Sequence, residues 1–255
     1  DPCGATQGLG GAEAVDPPNK REANQMVPMS STPRRGFLAR LAGAAAALTA
    51  GSALGRPLAA EEPQASPHDA WLTKMTGTHR CMFDAPLHGD GLPLIHVLNY
   101  ITTYKTVYGE PGSQINTAFT FYGAPGKPAT IPLAWNDAMW EKYKIGELLK
   151  LIDPDTKAPT KRNMFWRPRS GDPILFGGAM AAAGIQSLQA QGTVFLMCNN
   201  AFMAWVGSLS DNGRRNAGEI EREIRANLLP GVVTVPAMVI AIEKAQGKGI
   251  AYNRQ

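Results

Sequence analysis

"TVFLMCNNAFMAWVGSLS", residues 193–210, decides how the chain is read. From Thr193 to Cys198 the residues are apolar without alternation. A short run of that kind is expected of a strand in a parallel sheet covered on both faces. Asn199 and Asn200 follow, and then a helix-like stretch to Ser210. A strand that feeds directly into a helix is the repeating unit of an α/β fold.

Working outward from this unit gives the same pattern. "RCMFDAP" (80–86) reads as a short strand ended by Pro86. "GLPLIHVLNYITTYKTVYG" (91–109) places Leu94, Val97, Leu98, Ile101, Tyr104 and Tyr108 on one helical face and stops at Gly109 and Pro111. "INTAFTFYG" (115–123) is a strand between turn residues. "AWNDAMWEKYKIGELLKLI" (134–152) is helix-like, and "DPDTKAPTKRNMFWRPRSGDP" after it is a long loop. Residues 174–192 read as a small-residue helix stopped by Gly192. After 193–210 come a helix at 217–231, a strand at 232–237, a helix at 238–249 and a last strand at 250–254. The expectation is a three-layer α/β domain: a mainly parallel sheet of about five strands, helices on both faces and right-handed crossovers. It spans 79–255, with a helical insertion at 124–173.

The N-terminal part reads differently. Residues 30–60, "SSTPRRGFLARLAGAAAALTAGSALGRPLAA", run from basic to apolar to small residues, the three-part pattern of an export signal. Arg34-Arg35-Gly36-Phe37-Leu38 fits a twin-arginine signal. The apolar part is broken by Gly43 and Gly51 and is short of the ~20 residues of a membrane span. A signal peptide is therefore expected at 29–60, cleaved near Ala59 or Ala60. Residues 1–28 are expected to be upstream or disordered sequence, and 61–78 a flexible leader. The mature protein would be periplasmic, with no stable membrane anchor after cleavage.

The chain carries 25 Lys and Arg against 21 Asp and Glu. Residues 1–60 hold 6 and 4 of these, so 19 and 17 remain from Glu61 on, and a nearly neutral domain does not point to nucleic acid. Of three cysteines, Cys81 and Cys198 lie in the folded part. Two cysteines make no disulfide scaffold. Cys81 starts its strand and Cys198 ends its own, so in a parallel sheet they sit apart, and Cys81 reads as a packing residue.

Ligand sites in open parallel sheets form outside the carboxyl ends of the strands. That selects Asp84 and His88 after the first strand, Tyr122 after the second, and Cys198 with Asn199 and Asn200 after the third. Asn199 or Asn200 could cap the following helix. Unpaired N–H groups and the positive helix end would then favour a thiolate at Cys198. Free cysteine is also a common core residue, so a structural role stays open. His88 is either a partner of Cys198 or a solvated loop residue. Asp84 either orients a partner or caps the next turn. The histidines, at 68, 79, 88 and 96, have no metal-ligand spacing with each other or with cysteine, and neither a phosphate loop nor a Gly-x-Ser-x-Gly elbow is present. No cofactor and no metal are expected. Trp135, Trp140, Phe165 and Trp166 could lid a pocket or cover a sheet edge.

"GTVFLMCNNAF", the "RCMFDAP…GLPLIHVLNYITTY" opening and the "LLPGVVTVPAMVIAIEKAQGKGIAYNR" ending together resemble the DsrE/DsrF-like sulfur-relay family, its exported members in particular. The resemblance covers residues 79–255. It implies a compact, flavodoxin-like α/β domain and a cysteine that carries a persulfide, at Cys198 here, exchanging sulfur with a donor or partner thiol. A homo-oligomer is compatible with it. Export and the long 124–173 segment depart from the cytoplasmic relay proteins and leave donor and partner open. The competing expectation is a non-enzymatic binding module of the same fold, with Cys198 structural.

Overall fold

A computed structural model of the chain describes residues 66–255, apart from Asn212. The expected signal at 29–60 and the upstream stretch 1–28 lie outside the described residues.

The core is a five-stranded, all-parallel sheet, β1 His79–Asp84, β2 Ile115–Phe121, β3 Val194–Cys198, β4 Val233–Val235 and β5 Ala251–Arg254, in the order β4-β3-β2-β1-β5. Every residue of β3 is buried, as its unbroken apolar run requires of a central strand. The longer helices are α1 Leu92–Thr106, α5 Asn199–Leu209, α6 Ala217–Ala226 and α7 Met238–Gly247. Three shorter ones, α2 Asp137–Lys142, α3 Ile145–Leu148 and α4 Ile185–Ala190, lie between β2 and β3.

The strand order dictates the layers. From β1 to β4 the chain steps one strand at a time in the same direction, so right-handed crossovers send all three connections over one face. The step from β4 to β5 returns across the sheet, which sends α7 over the other. The two cores agree. Phe83, Phe119, Phe195 and Met197 pack with Val97, Trp140, Leu188, Phe202 and Ile224 on one face. Met82, Leu196, Cys198 and Val235 pack with Met238, Ala241 and Ala245 of α7 on the other. A three-layer α/β fold with helices on both faces is therefore what the chain adopts.

Three local expectations are corrected. The leader is not featureless in its described part: Pro67–Lys74 is a 3₁₀ helix, and Trp71 and Met75 are buried against the α7 face. A tryptophan and a methionine four residues apart supply an apolar side that a polar, Pro-containing composition hides. The 134–152 helix is instead two short ones, because Lys144 takes a left-handed φ of 52° between them. Residues 174–192 are not one helix either. Leu175, Phe176, Gly177 and Gly178 all have positive φ, and only Ile185–Ala190 is α-helical. Gly178 (φ 78°) is forced: a Cβ there would lie 2.0 Å from the Arg169 carbonyl oxygen. Leu175 is fully buried and its N–H donates to Asp90 O, so tertiary contacts override helix propensity. The insertion at 124–173 is helical only in part: the short helices α2 and α3 are set among loops and turns.

Candidate functional site

Cys198 is the last residue of β3 and has extended backbone angles, φ −73° and ψ 117°. The next residue already begins α5. This makes Cys198 itself the N-cap, in place of Asn199 or Asn200: its Sγ accepts the Ala201 N–H at 3.5 Å. A second N–H, from Met238 at the start of α7, reaches the same sulfur at 3.4 Å. In the ladder Cys198 pairs with Val235, after which Pro236 and Ala237 turn the chain into α7.

The topology explains the convergence. β3 continues into α5 on one face and its neighbour β4 continues into α7 on the other. Adjacent strands whose connections depart to opposite faces leave a crevice at their carboxyl ends, where ligands bind in open α/β sheets. Cys198 sits in that crevice with both helix starts aimed at its sulfur. Their unpaired N–H groups and partial positive charge suit a sulfur that bears negative charge. The residue as a whole is 5% exposed and belongs to the cluster of Trp71, Leu196 and Met238. A cleft of about 210 Å³ lies at the start of α7, against Val235, Pro236 and Ala237, and Cys198 does not line it. A larger cleft of about 690 Å³ lies at the β1–β5 edge, and Cys198 does not line that one either.

Of the other expected site residues, Asn199 is at the first turn of α5, and its side chain accepts a bond from Arg225 at 2.6 Å. Asn200 is exposed beside it. Tyr122 follows β2 and packs against the Cys198 cluster, and its hydroxyl accepts from Arg254 at 2.6 Å. Asp84 neither caps a turn nor meets Cys198. It is 1% exposed and accepts from Tyr252 at 2.6 Å and from Arg254, its register partner on β5. Two strand spacings, ~10 Å, separate β1 from β3. His88 is not brought to Cys198 either. It is buried, its ring centroid 5.3 Å from that of Phe165 of the insertion and tilted 56° to it, and the Phe165 ring lies in the core of the opposite face. Its Nδ1 accepts the Asp90 N–H at 3.1 Å, and burial lowers its pKa, with Asp90 opposing. Cys81 faces the same side as His88, so the two cysteines lie on opposite faces and both are free.

Three contributors were not legible beforehand: Met238, whose N–H is the second donor to Cys198, and Tyr252 and Arg254, which hold Asp84. The β4–β3 and β1–β5 pairings create them, and only a sheet order reveals those pairings. Among the described residues no group of three His, Cys, Asp or Glu side chains could hold a metal ion, and no helix is long and apolar enough to cross a membrane.

The Asp84 network and Cys81 link the stability of the fold to alkaline pH. Burial pushes the Cys81 thiol up to about 11 from 9.0. Burial first, then Asp84, raises the Tyr122 hydroxyl, while the bond to Asp84 is the chief cause for Tyr252. Groups held protonated by the fold contribute stability that is present below their unfolded pKa and lost as pH rises through the folded one. Urea unfolding midpoints should therefore fall between about pH 8 and about pH 11. A flat profile would contradict the burial of these groups.

No family model matches the chain, and no curated protein matches it significantly. A solved structure of a protein of unknown function, MTH1491 from Methanobacterium thermoautotrophicum, is similar to it over 69% of this chain and 99% of that one, at 14% identity and a TM-score of 0.34. A likeness that slight assigns no function.

Proposed function

We propose that the protein handles sulfane sulfur, as the likeness to DsrE/DsrF-like sulfur-relay proteins implies, and that Cys198 carries it. One observation supports this most: the Cys198 sulfur lies at the crevice between β3 and β4 and accepts N–H groups from the starts of both α5 and α7. In this reading the Cys198 thiolate attacks the outer sulfur of a donor persulfide. An S–S bond forms at Cys198 as the donor's S–S bond breaks, and the donor leaves as a thiolate. A partner thiolate then attacks the outer sulfur of the Cys198 persulfide and releases the Cys198 thiolate. Each step moves one sulfur atom with no net oxidation. The persulfide's charge would meet the same N–H groups that the sulfur already accepts. Export through a twin-arginine signal belongs to the proposal and rests on Arg34-Arg35 and the apolar run behind them.

The test is mass spectrometry of the reduced protein after exposure to sodium polysulfide. The expected result is a one-sulfur increase on the Cys198 peptide, reversed by dithiothreitol, with none on Cys81. Absence of the adduct on a thiol that iodoacetamide does reach would overturn the reading.

The burial of Cys198 favours a second reading, a binding module in which the cysteine only caps α5. Alkylation separates the two. A relay cysteine reacts with iodoacetamide near neutral pH well ahead of Cys81, whereas a purely structural one stays as inert as Cys81 in the native state.

A further inference from the structure

The loop of the insertion carries charge that sulfur handling does not use. "KRNMFWRPR", residues 161–169, holds four cations. Two are accounted for. Lys161 pairs with Glu141 at 2.9 Å, and Arg162 forms a bidentate pair with the fully buried Asp172. Arg167 and Arg169 are exposed, and among the described residues neither has a carboxylate within ion-pair distance. Both line one pocket of about 380 Å³, with Trp166, Asp137, Leu229 and Pro230.

The pocket is held in shape. Asn163 ties the loop to the Leu133 and Trp135 carbonyls at 2.9 Å each, and its own N–H donates to Asp137 Oδ1 at 2.8 Å. Asp172 accepts the Arg169 N–H at 2.8 Å. The Arg167 guanidinium lies 5.9 Å over the Trp166 ring, and its Nε donates to Gln186 at 2.9 Å, which leaves its terminal nitrogens free. A site ordered beforehand loses less entropy when a ligand binds.

We propose that this pocket binds a small monocarboxylate carried on a planar or apolar body. Arg167 and Arg169 receive the carboxylate; Trp166, Leu229 and Pro230 receive the body. The guanidinium fork matches a carboxylate in geometry, and the volume lies within the range of small-molecule sites. Arg162 in the pocket wall is neutralised by Asp172, so Arg167 and Arg169 against Asp137 leave one positive charge, which Asp153 near Arg169 tempers further; this suits a monoanion over a dianion. This site is separate from Cys198 and does not depend on its chemistry.

Trp166 supplies the readout. Of five tryptophans, Trp71, Trp135, Trp140 and Trp205 are buried and Trp166 is not. Iodide quenching therefore reports Trp166. Benzoate added to the full chain should protect that fluorescence and give a saturable calorimetric isotherm. Trp166→Phe should remove the optical signal. Arg167→Gln with Arg169→Gln should weaken binding about ten-fold or more. Both side chains are exposed and neither forms an ion pair, so the double variant should fold normally, and an unchanged melting temperature checks it. Cys198→Ser should bind benzoate as the parent does, so this inference and the sulfur reading fail separately. An absent isotherm, a double variant that binds benzoate normally, equal binding of benzyl alcohol, or tighter binding of phosphate would each overturn the proposal.

Discussion

Cys198→Ser abolishes capture of sulfane sulfur and leaves the fold standing, while Cys198→Ala abolishes capture and also destabilises. The difference follows from what the sulfur does in the structure. It accepts two N–H groups, from Ala201 and Met238, and caps α5. A serine hydroxyl is among the best N-cap acceptors and can satisfy the same donors, though it cannot carry sulfur. Alanine offers no acceptor, and two N–H groups remain unpaired, one at the start of α5 and one at the start of α7. Loss of a cap and of buried partners costs about 1–3 kcal/mol. Urea unfolding of the three proteins, beside polysulfide loading, reads both effects. A serine variant that still gains sulfur would remove Cys198 from the chemistry. An alanine variant as stable as the parent would show that the N–H···S contacts do not hold the two helices to the strand end.

What could be read beforehand divides along one physical line. β3 and α5 were legible because an unbroken apolar run and a helical stretch are local signals, and β3 is indeed buried at every residue. The all-parallel order follows from alternation of such units. The N-cap was misassigned because asparagine has the higher intrinsic preference, yet Cys198 has the extended backbone of a strand end and α5 begins at once after it. The Asp84–Arg254 pair spans 170 positions and exists only because β5 returns to lie beside β1. His88 was expected near the sheet end, but Phe165, from the distant insertion, covers it on the other face. The insertion itself was least legible. Its backbone is fixed by side-chain locks and left-handed residues rather than by periodicity, and neither leaves a pattern in the sequence.

Asp172 is the strongest of those locks, and Asp172→Ala should be the most damaging single change in the insertion. The carboxylate is fully buried and receives both terminal nitrogens of Arg162 as well as the Arg169 N–H. Arg162 is itself only 14% exposed, and its other acidic neighbour, Asp153, stands off at 3.7 Å. Truncating Asp172 leaves a guanidinium buried with that one distant partner and an N–H with none. Breaking a buried pair from one side costs about 3–5 kcal/mol, whereas replacing both partners by apolar residues is often close to neutral. The double variant Asp172→Ala with Arg162→Met should therefore recover much of the stability that the single variant loses. Urea midpoints test this directly, and a single variant within about 1 kcal/mol of the parent would show that the pair does not hold the loop. The same change reaches the proposed carboxylate pocket, since Asp172 fixes the Arg169 backbone and Arg162 forms part of the pocket wall. Benzoate binding should weaken in the single variant even at temperatures where the sheet remains folded. Sulfur loading at Cys198, on the far face, should persist.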